Sequence, residues 1–187
     1  MKKIKIGTIL LSILIFTIGY SKTSFEIVKE TPASPKLSGY KSIYLGWLDL
    51  KEADYNLYGH KPGDWKTEIR RHNTEGLQVY LKDALPGKII SGAASPADRY
   101  AGNADLQILL KVNDKIKYEK GFVINCSLNV DVMIFDGKTN NLLYTANIIS
   151  YCTFPFSHLN WKANSFDGAL DNEILNLSKA IASKFKP

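Results

Sequence analysis

One stretch constrains this chain more than any other: Gly121 to Tyr151, GFVINCSLNVDVMIFDGKTNNLLYTANIISY. Two apolar runs flank a polar turn, Asp136-Gly137-Lys138-Thr139-Asn140-Asn141. In the first run Cys126, Leu128, Val130, Val132 and Ile134 alternate with Ser127, Asn129, Asp131, Met133 and Phe135. Such alternation marks a half-buried strand, because successive side chains point to opposite faces. The second run repeats it with Leu142, Tyr144, Ala146, Ile148 and Cys152 against Thr145, Asn147 and Tyr151; Leu143 and Ile149 fall out of phase. The pattern predicts a β-hairpin at the centre of a sheet.

The N-terminus bounds the compartment. Lys2, Lys3 and Lys5 precede an apolar run from Ile6 to Ile18, and Gly19-Tyr20-Ser21 follows as small-x-small. This is the pattern of a secretory signal peptide over residues 1–21. The apolar run is short against the ~20 residues of a spanning helix. Removing its three lysines lowers the formal charge from +6 to +3. That balance offers no concentrated basic face for nucleic acid. It supports no more than weak peripheral association with an anionic membrane surface. Residues 22–38, with Pro32 and Pro35 and no periodic pattern, read as a flexible linker. Residues 39–187 are long enough for a single domain with a full core.

Export gives the hairpin a further consequence. With the turn centred on Thr139, Ile134 faces Tyr144, Val132 faces Ala146 and Val130 faces Ile148. A register slip of one would put each pair on opposite faces. Cys126 and Cys152 are equally distant from Thr139, so they sit opposite each other or two residues from it. In an oxidising compartment that predicts a Cys126–Cys152 disulfide.

Around the hairpin, Tyr40 to Leu50 reads as a strand apolar on both faces, suited to the inside of a sheet. Asp64 is a helix cap. Trp65, Ile69, Leu77, Tyr80, Leu81, Ala84 and Leu85 follow at helical spacing, and Pro86-Gly87 stops the helix. Lys88–Ser91 and Ala104–Val112 read as strands. The interval from Asn113 to Gly121 is either a turn or a bulged continuation of the second. Phe166, Leu170, Ile174, Leu177, Ile181 and Phe185 mark a final amphipathic helix. The order β-α-β-β-β-β-α predicts an α+β domain: a mainly antiparallel sheet with two helices packed on one face.

Chemistry is sparse. The chain has no G-x-S-x-G, no H-E-x-x-H, no phosphate-cradling glycine loop and no paired-cysteine metal motif. His60, His72 and His158 are isolated in sequence. No catalytic residue, metal site or cofactor is expected. The candidates for binding are two aromatic loops. Tyr55, Tyr58, His60 and Trp65 follow the first strand, and Phe154, Phe156, His158 and Trp161 follow the last. Aromatic rings with polar handles are enriched at binding surfaces. If the first and last strands run parallel, both loops lie at one end of the sheet.

Asn103 to Leu110, NADLQILL, and Leu128 to Tyr144 with Asp136-Gly137-Lys138-Thr139 resemble a group of exported bacterial envelope proteins. In that group a strand A-D-hydrophobic-x-hydrophobic precedes a hairpin V-x-V-hydrophobic-hydrophobic-D-x-x-T-G. The group is similar to the LpoB-type activators of peptidoglycan synthases, the periplasmic domain of the curli-secretion protein CsgG and the N-terminal domain of TolB. The resemblance implies a periplasmic α+β partner-binding domain without enzymatic activity. Asn140 stands where the group has glycine, and asparagine also tolerates the left-handed conformation. The lipid-bearing cysteine of many members is absent. The expected function is therefore a non-catalytic, exported envelope protein that binds another envelope protein or a cell-wall polymer. The alternative is a small secreted enzyme or enzyme inhibitor using the aromatic loops 51–65 and 153–165.

Overall fold

The structure, a computed structural model, describes residues 22–32, 35–48, 55–57, 65–113, 116–120, 123–155 and 166–186. In chain order these form β1 (Lys22–Thr31), β2 (Ser42–Leu45), β3 (Tyr55–Leu57), α1 (Trp65–Ala84), β4 (Ile89–Gly92) and β5 (Leu106–Val112). There follow β6 (Ile116–Lys120), β7 (Val123–Asp136), β8 (Leu142–Pro155) and α2 (Phe166–Ser183). The fold is α+β, with one sheet in the order β1-β8-β7-β5-β2-β4. The pairs β1–β8, β8–β7, β7–β5 and β7–β6 are antiparallel, while β2 is parallel to both neighbours and β3 to β6.

The β7–β8 hairpin is the spine, in the register its alternation demands. Ile134 faces Tyr144, Val132 Ala146 and Val130 Ile148. The side chains of Leu128, Val130, Val132 and Ile134 are fully buried, and Tyr144, Ala146 and Ile148 nearly so. Each such burial is worth about 1.5–3 kcal/mol for a Val, Leu or Ile. Near the turn the register shifts, because Phe135 faces Leu142 and Leu143 is the extra residue. That is why Leu143 breaks the alternation. Asn140 takes the left-handed conformation, with φ of 56°.

Both helices cover the same face. α1 lies over β2 and β4: Leu48 N donates to Thr74 Oγ1 at 3.3 Å, and Gln78 Nε2 donates to Ile90 O at 3.1 Å. α2 lies against β8, β1 and β7 and packs on α1. Its stripe of Leu170, Ile174, Leu177 and Ile181, continued by Phe185, is buried, as are Leu77, Leu81 and Leu85 of and after α1. Gly87 stops α1 at φ of 87°, a left-handed position that suits glycine. The expected cap Asp64 lies outside the described residues.

Three expectations need correction, and one open reading is resolved. Residues 22–31, expected as linker, form β1 along β8. A bulge between Ile27 and Lys29 makes Val28 an extra residue. Ile27 and Glu30 consequently sit on the same face, which destroys the period-two signal. Second, the interval after β5 is a continuation: β5 pairs with Val130–Asp136 of β7, and β6 takes up Ile124–Ser127. Third, β8 runs on to Pro155, and Tyr55–Leu57 of the first aromatic loop is strand β3. Fourth, Cys126 and Cys152 are directly opposed as predicted, yet both are free, buried thiols rather than a disulfide. The Cys152 thiol is turned toward α2, where Sγ lies 3.6 Å from Ala169 O.

Candidate functional site

With both helices on one side, the other side of the long ribbon carries a half-exposed polar ladder. Asn147 Nδ2 donates to Asn129 Oδ1 at 2.7 Å and to Asp131 Oδ1 at 3.0 Å. Thr153 Oγ1 donates to Asn125 Oδ1 at 3.0 Å. These cross-strand pairs follow from the odd-numbered positions of the alternation, all of which project away from the helices. β1 extends this face through Ser24, opposite Tyr151, and Glu26, opposite Ile149. Here Ser24, Phe25, Glu26, Tyr151 and Thr153 line a groove of about 450 Å³. Tyr151 is 38% exposed on this face; Phe25, also 38% exposed, pairs with the buried Ser150 and so lies on the helix side of β1, and Val28 at the bulge is 53% exposed, so exposed apolar side chains gather along the β1 edge.

The sequence-predicted binding residues fall only partly within the described residues. Tyr55 lies in β3 opposite Ile116, Phe154 in β8 opposite Ile124, and Trp65 opens α1. Tyr58, His60, Phe156, His158 and Trp161 lie outside the described residues. The topology does settle strand direction. β2 is parallel to β5, which is antiparallel to β7, which is antiparallel to β8; β3 reaches the same result through β6. Thus β2, β3 and β8 all run the same way, and the chain leaves β3 and β8 toward one end of the sheet.

At the opposite end, the residues that carry the sequence resemblance have structural work. Asp105 Oδ2 accepts from Lys41 N at 2.9 Å and Ser42 N at 3.0 Å, tying the entry of β2 to β5. Those two amides hold its carboxyl below the ordinary range. Asp136 Oδ1 accepts from Thr139 N at 2.8 Å, Lys138 N at 3.0 Å and Thr139 Oγ1 at 3.0 Å. The Thr139 contacts lower its carboxyl in the same way. Gly137 N donates to Asp105 O at 2.7 Å, and a Cβ on Gly137 would overlap Ala104 O and the Tyr100 hydroxyl. The A-D and D-G pairs thus close the turn onto the neighbouring strand.

Sequence reasoning missed one residue, Glu173. It sits on α2 beside the buried stripe, fully inaccessible, above Cys126 and Cys152. Their sulfurs and a carboxylate oxygen all lie within 4.8 Å of one another. Burial pushes the Glu173 carboxyl up to about 7, against the Ser150 hydroxyl and the Cys152 thiol nearby, which draw it down. Neither of its oxygens reaches any donor among the described residues in hydrogen-bonding geometry. The Ser150 hydroxyl donates instead to the Glu173 main-chain carbonyl at 2.9 Å. The adjacent Cys152 thiol and burial together push the Cys126 thiol well up. An acid at the helical spacing of an apolar stripe was the available signal.

No protein-family model matches the chain, and no curated protein is significantly similar to it in sequence. Among solved structures, the chain is similar to the PelC dodecamer from Paraburkholderia phytofirmans, at 14% identity and a TM-score of 0.49 over 84% of this chain and 96% of that one. It is similar to a neuraminyllactose-binding hemagglutinin homolog from Helicobacter pylori, at 9% identity and a TM-score of 0.49 over 87% and 92%. A third is a minor lipoprotein from Acinetobacter baumannii, at 15% identity and a TM-score of 0.41 over 78% and 91%.

Proposed function

We propose that the protein is an exported, non-catalytic envelope protein that receives another envelope protein on the border of β1 and β8. The observation that carries this reading is the one-sided cover of the sheet. Both helices lie on one face, and the other face ends in a groove with Tyr151 exposed in it, while Phe25 and Val28 are exposed along the same β1 edge. Apolar side chains exposed in a cluster and rimmed by polar ones suit a protein partner. β1 is also an edge strand, so its outer main-chain groups are open to pairing with an extended segment. The basic, apolar and small-x-small segments of residues 1–21 support export. Among the described residues no helix is long and apolar enough to cross a membrane. The resemblance of the hairpin to envelope partner-binding proteins adds support.

The test is site-specific photo-crosslinking in the native envelope, with the probe at Ser24 or Tyr151 and a control probe at Lys179, exposed on α2. A discrete protein adduct from the first two positions and none from Lys179 is expected. Equal adducts from all three would remove the surface. Retention of the protein on isolated cell-wall polymer, abolished by Tyr151→Ala and without any protein adduct, would transfer the surface to a polymer ligand.

A further inference from the structure

We propose that Cys126, Cys152 and Glu173 form a binding site for one thiophilic divalent ion of the zinc type. This site is independent of what the β1–β8 border binds. The two cysteines are presented side by side because they share a register position on β7 and β8 and both face the helices. Glu173 reaches them from α2, which packs on those strands. Two sulfurs on a tetrahedron at the zinc–sulfur distance stand about 3.8 Å apart. The three donor atoms here lie within 4.8 Å of one another, so less than about an ångström of side-chain adjustment brings them around one ion.

The donor set selects the metal class. Two soft sulfurs with one oxygen favour zinc-like ions over calcium or magnesium, which take oxygen ligands. Two thiolates cancel a divalent charge, and the carboxylate adds a third donor. Three ligands leave one tetrahedral position for a water.

The second, independent observation is the carboxyl of Glu173. Both oxygens are buried and without a donor among the described residues. A buried acid in that state is unfavourable unless something electropositive meets it. The nearest hydroxyl, on Ser150, is committed to the main chain of the same helix. A cation between the carboxylate and the two sulfurs meets that requirement. Binding breaks the two S–H bonds and the carboxyl O–H bond, the protons pass to solvent, and the freed lone pairs go to the metal. No electron is transferred.

The experiment uses the full chain, reduced and stripped with a chelator, then titrated with cobalt(II) as a spectroscopic probe and with zinc(II) in competition. One equivalent of cobalt is expected to bind with a thiolate-to-metal charge-transfer band, and zinc to displace it. Glu173→Gln should weaken zinc binding by about tenfold or more. The double variant C126S/C152S should lose the band. Should that variant not fold, the wild-type spectrum decides alone, since only sulfur ligation produces the band. Cobalt bound without the band, no stoichiometric binding, or a Glu173→Gln protein with unchanged zinc affinity would each overturn the site.

Discussion

The two ends of the β7–β8 ribbon solve the placement of acidic side chains in opposite ways. At the turn end, Asp105 and Asp136 are half-buried residues whose carboxylates each accept hydrogen bonds from at least two main-chain amides, and both sit below their ordinary range. At the far end, Glu173 is buried, meets no donor among the described residues and is pushed upward. The difference teaches how to read an acid in this fold. The first two serve the backbone, replacing hydrogen bonds that an irregular turn cannot make with itself. The third makes no hydrogen bond among the described residues, so its presence in an apolar stripe points to something other than folding.

The comparison can be tested from its strongest element downward. Gly137→Ala should have the largest effect, because the added Cβ meets main-chain Ala104 O and the Tyr100 hydroxyl together, and main chain cannot step aside. A loss of about 3 kcal/mol in urea unfolding is expected, the upper range for overpacking. A near-neutral result would show that the turn is not clamped to β5. Glu173→Leu should act in the opposite direction. In chelator-treated protein it should stabilise by about 1–3 kcal/mol, the cost of a buried polar group without a partner. Destabilisation by this variant would mean the carboxyl has a partner, and the contrast between the ends would fail.

The smallest expected effect is at Glu30, which lies between these extremes. Its Oε2 meets Lys184 Nζ at 2.5 Å and accepts from the Tyr144 hydroxyl at 2.7 Å. The Lys184 hydrogen bond outweighs burial and holds the Glu30 carboxyl below its ordinary value of 4.5. Its stabilising contribution is therefore present above that ordinary value and is lost as pH falls through the lower folded one. For this partly buried pair, discounted for the screening of its remaining solvent contact, it amounts to about 1 kcal/mol. Glu30→Gln should lower stability slightly at neutral pH and flatten the acid limb of the stability profile below pH 4.5. An acid limb identical to the wild type would show the pair contributes nothing.

What was legible in the sequence is what a strong period enforces. Ile134, Val132 and Val130 fix their partners because a slip of one residue would turn an entire apolar set to water. The helix stripes from Leu77 and Leu170 onward were readable for the same reason. β1 was not, because Val28 interrupts the alternation and an edge strand needs only half its side chains covered. β3 and β6 were not, because three to five residues are too short to show a period. The cysteine register was legible; the state of the thiols was not, since opposition across two strands says nothing of a third group arriving from α2. Glu173 stayed hidden because a lone acid within a helix ordinarily faces solvent. The strand directions behind the shared exit of β3 and β8 depend on long-range pairings that no local pattern encodes.

The bulge at Val28 also bears on the solubility of the molecule. A ten-residue edge strand with an unbroken row of amides and carbonyls is a template for another copy, and copies stacked edge to edge make fibres. Here the row is interrupted between Ile27 and Lys29, and the residue after the interruption is a lysine. The other edges among the described residues, β4 and β3, are only four and three residues long. A visiting strand can therefore match one half of β1 and cannot run on past Val28 in the same ladder. Among the described residues, none of the sheet's margins is both long and straight enough to polymerise.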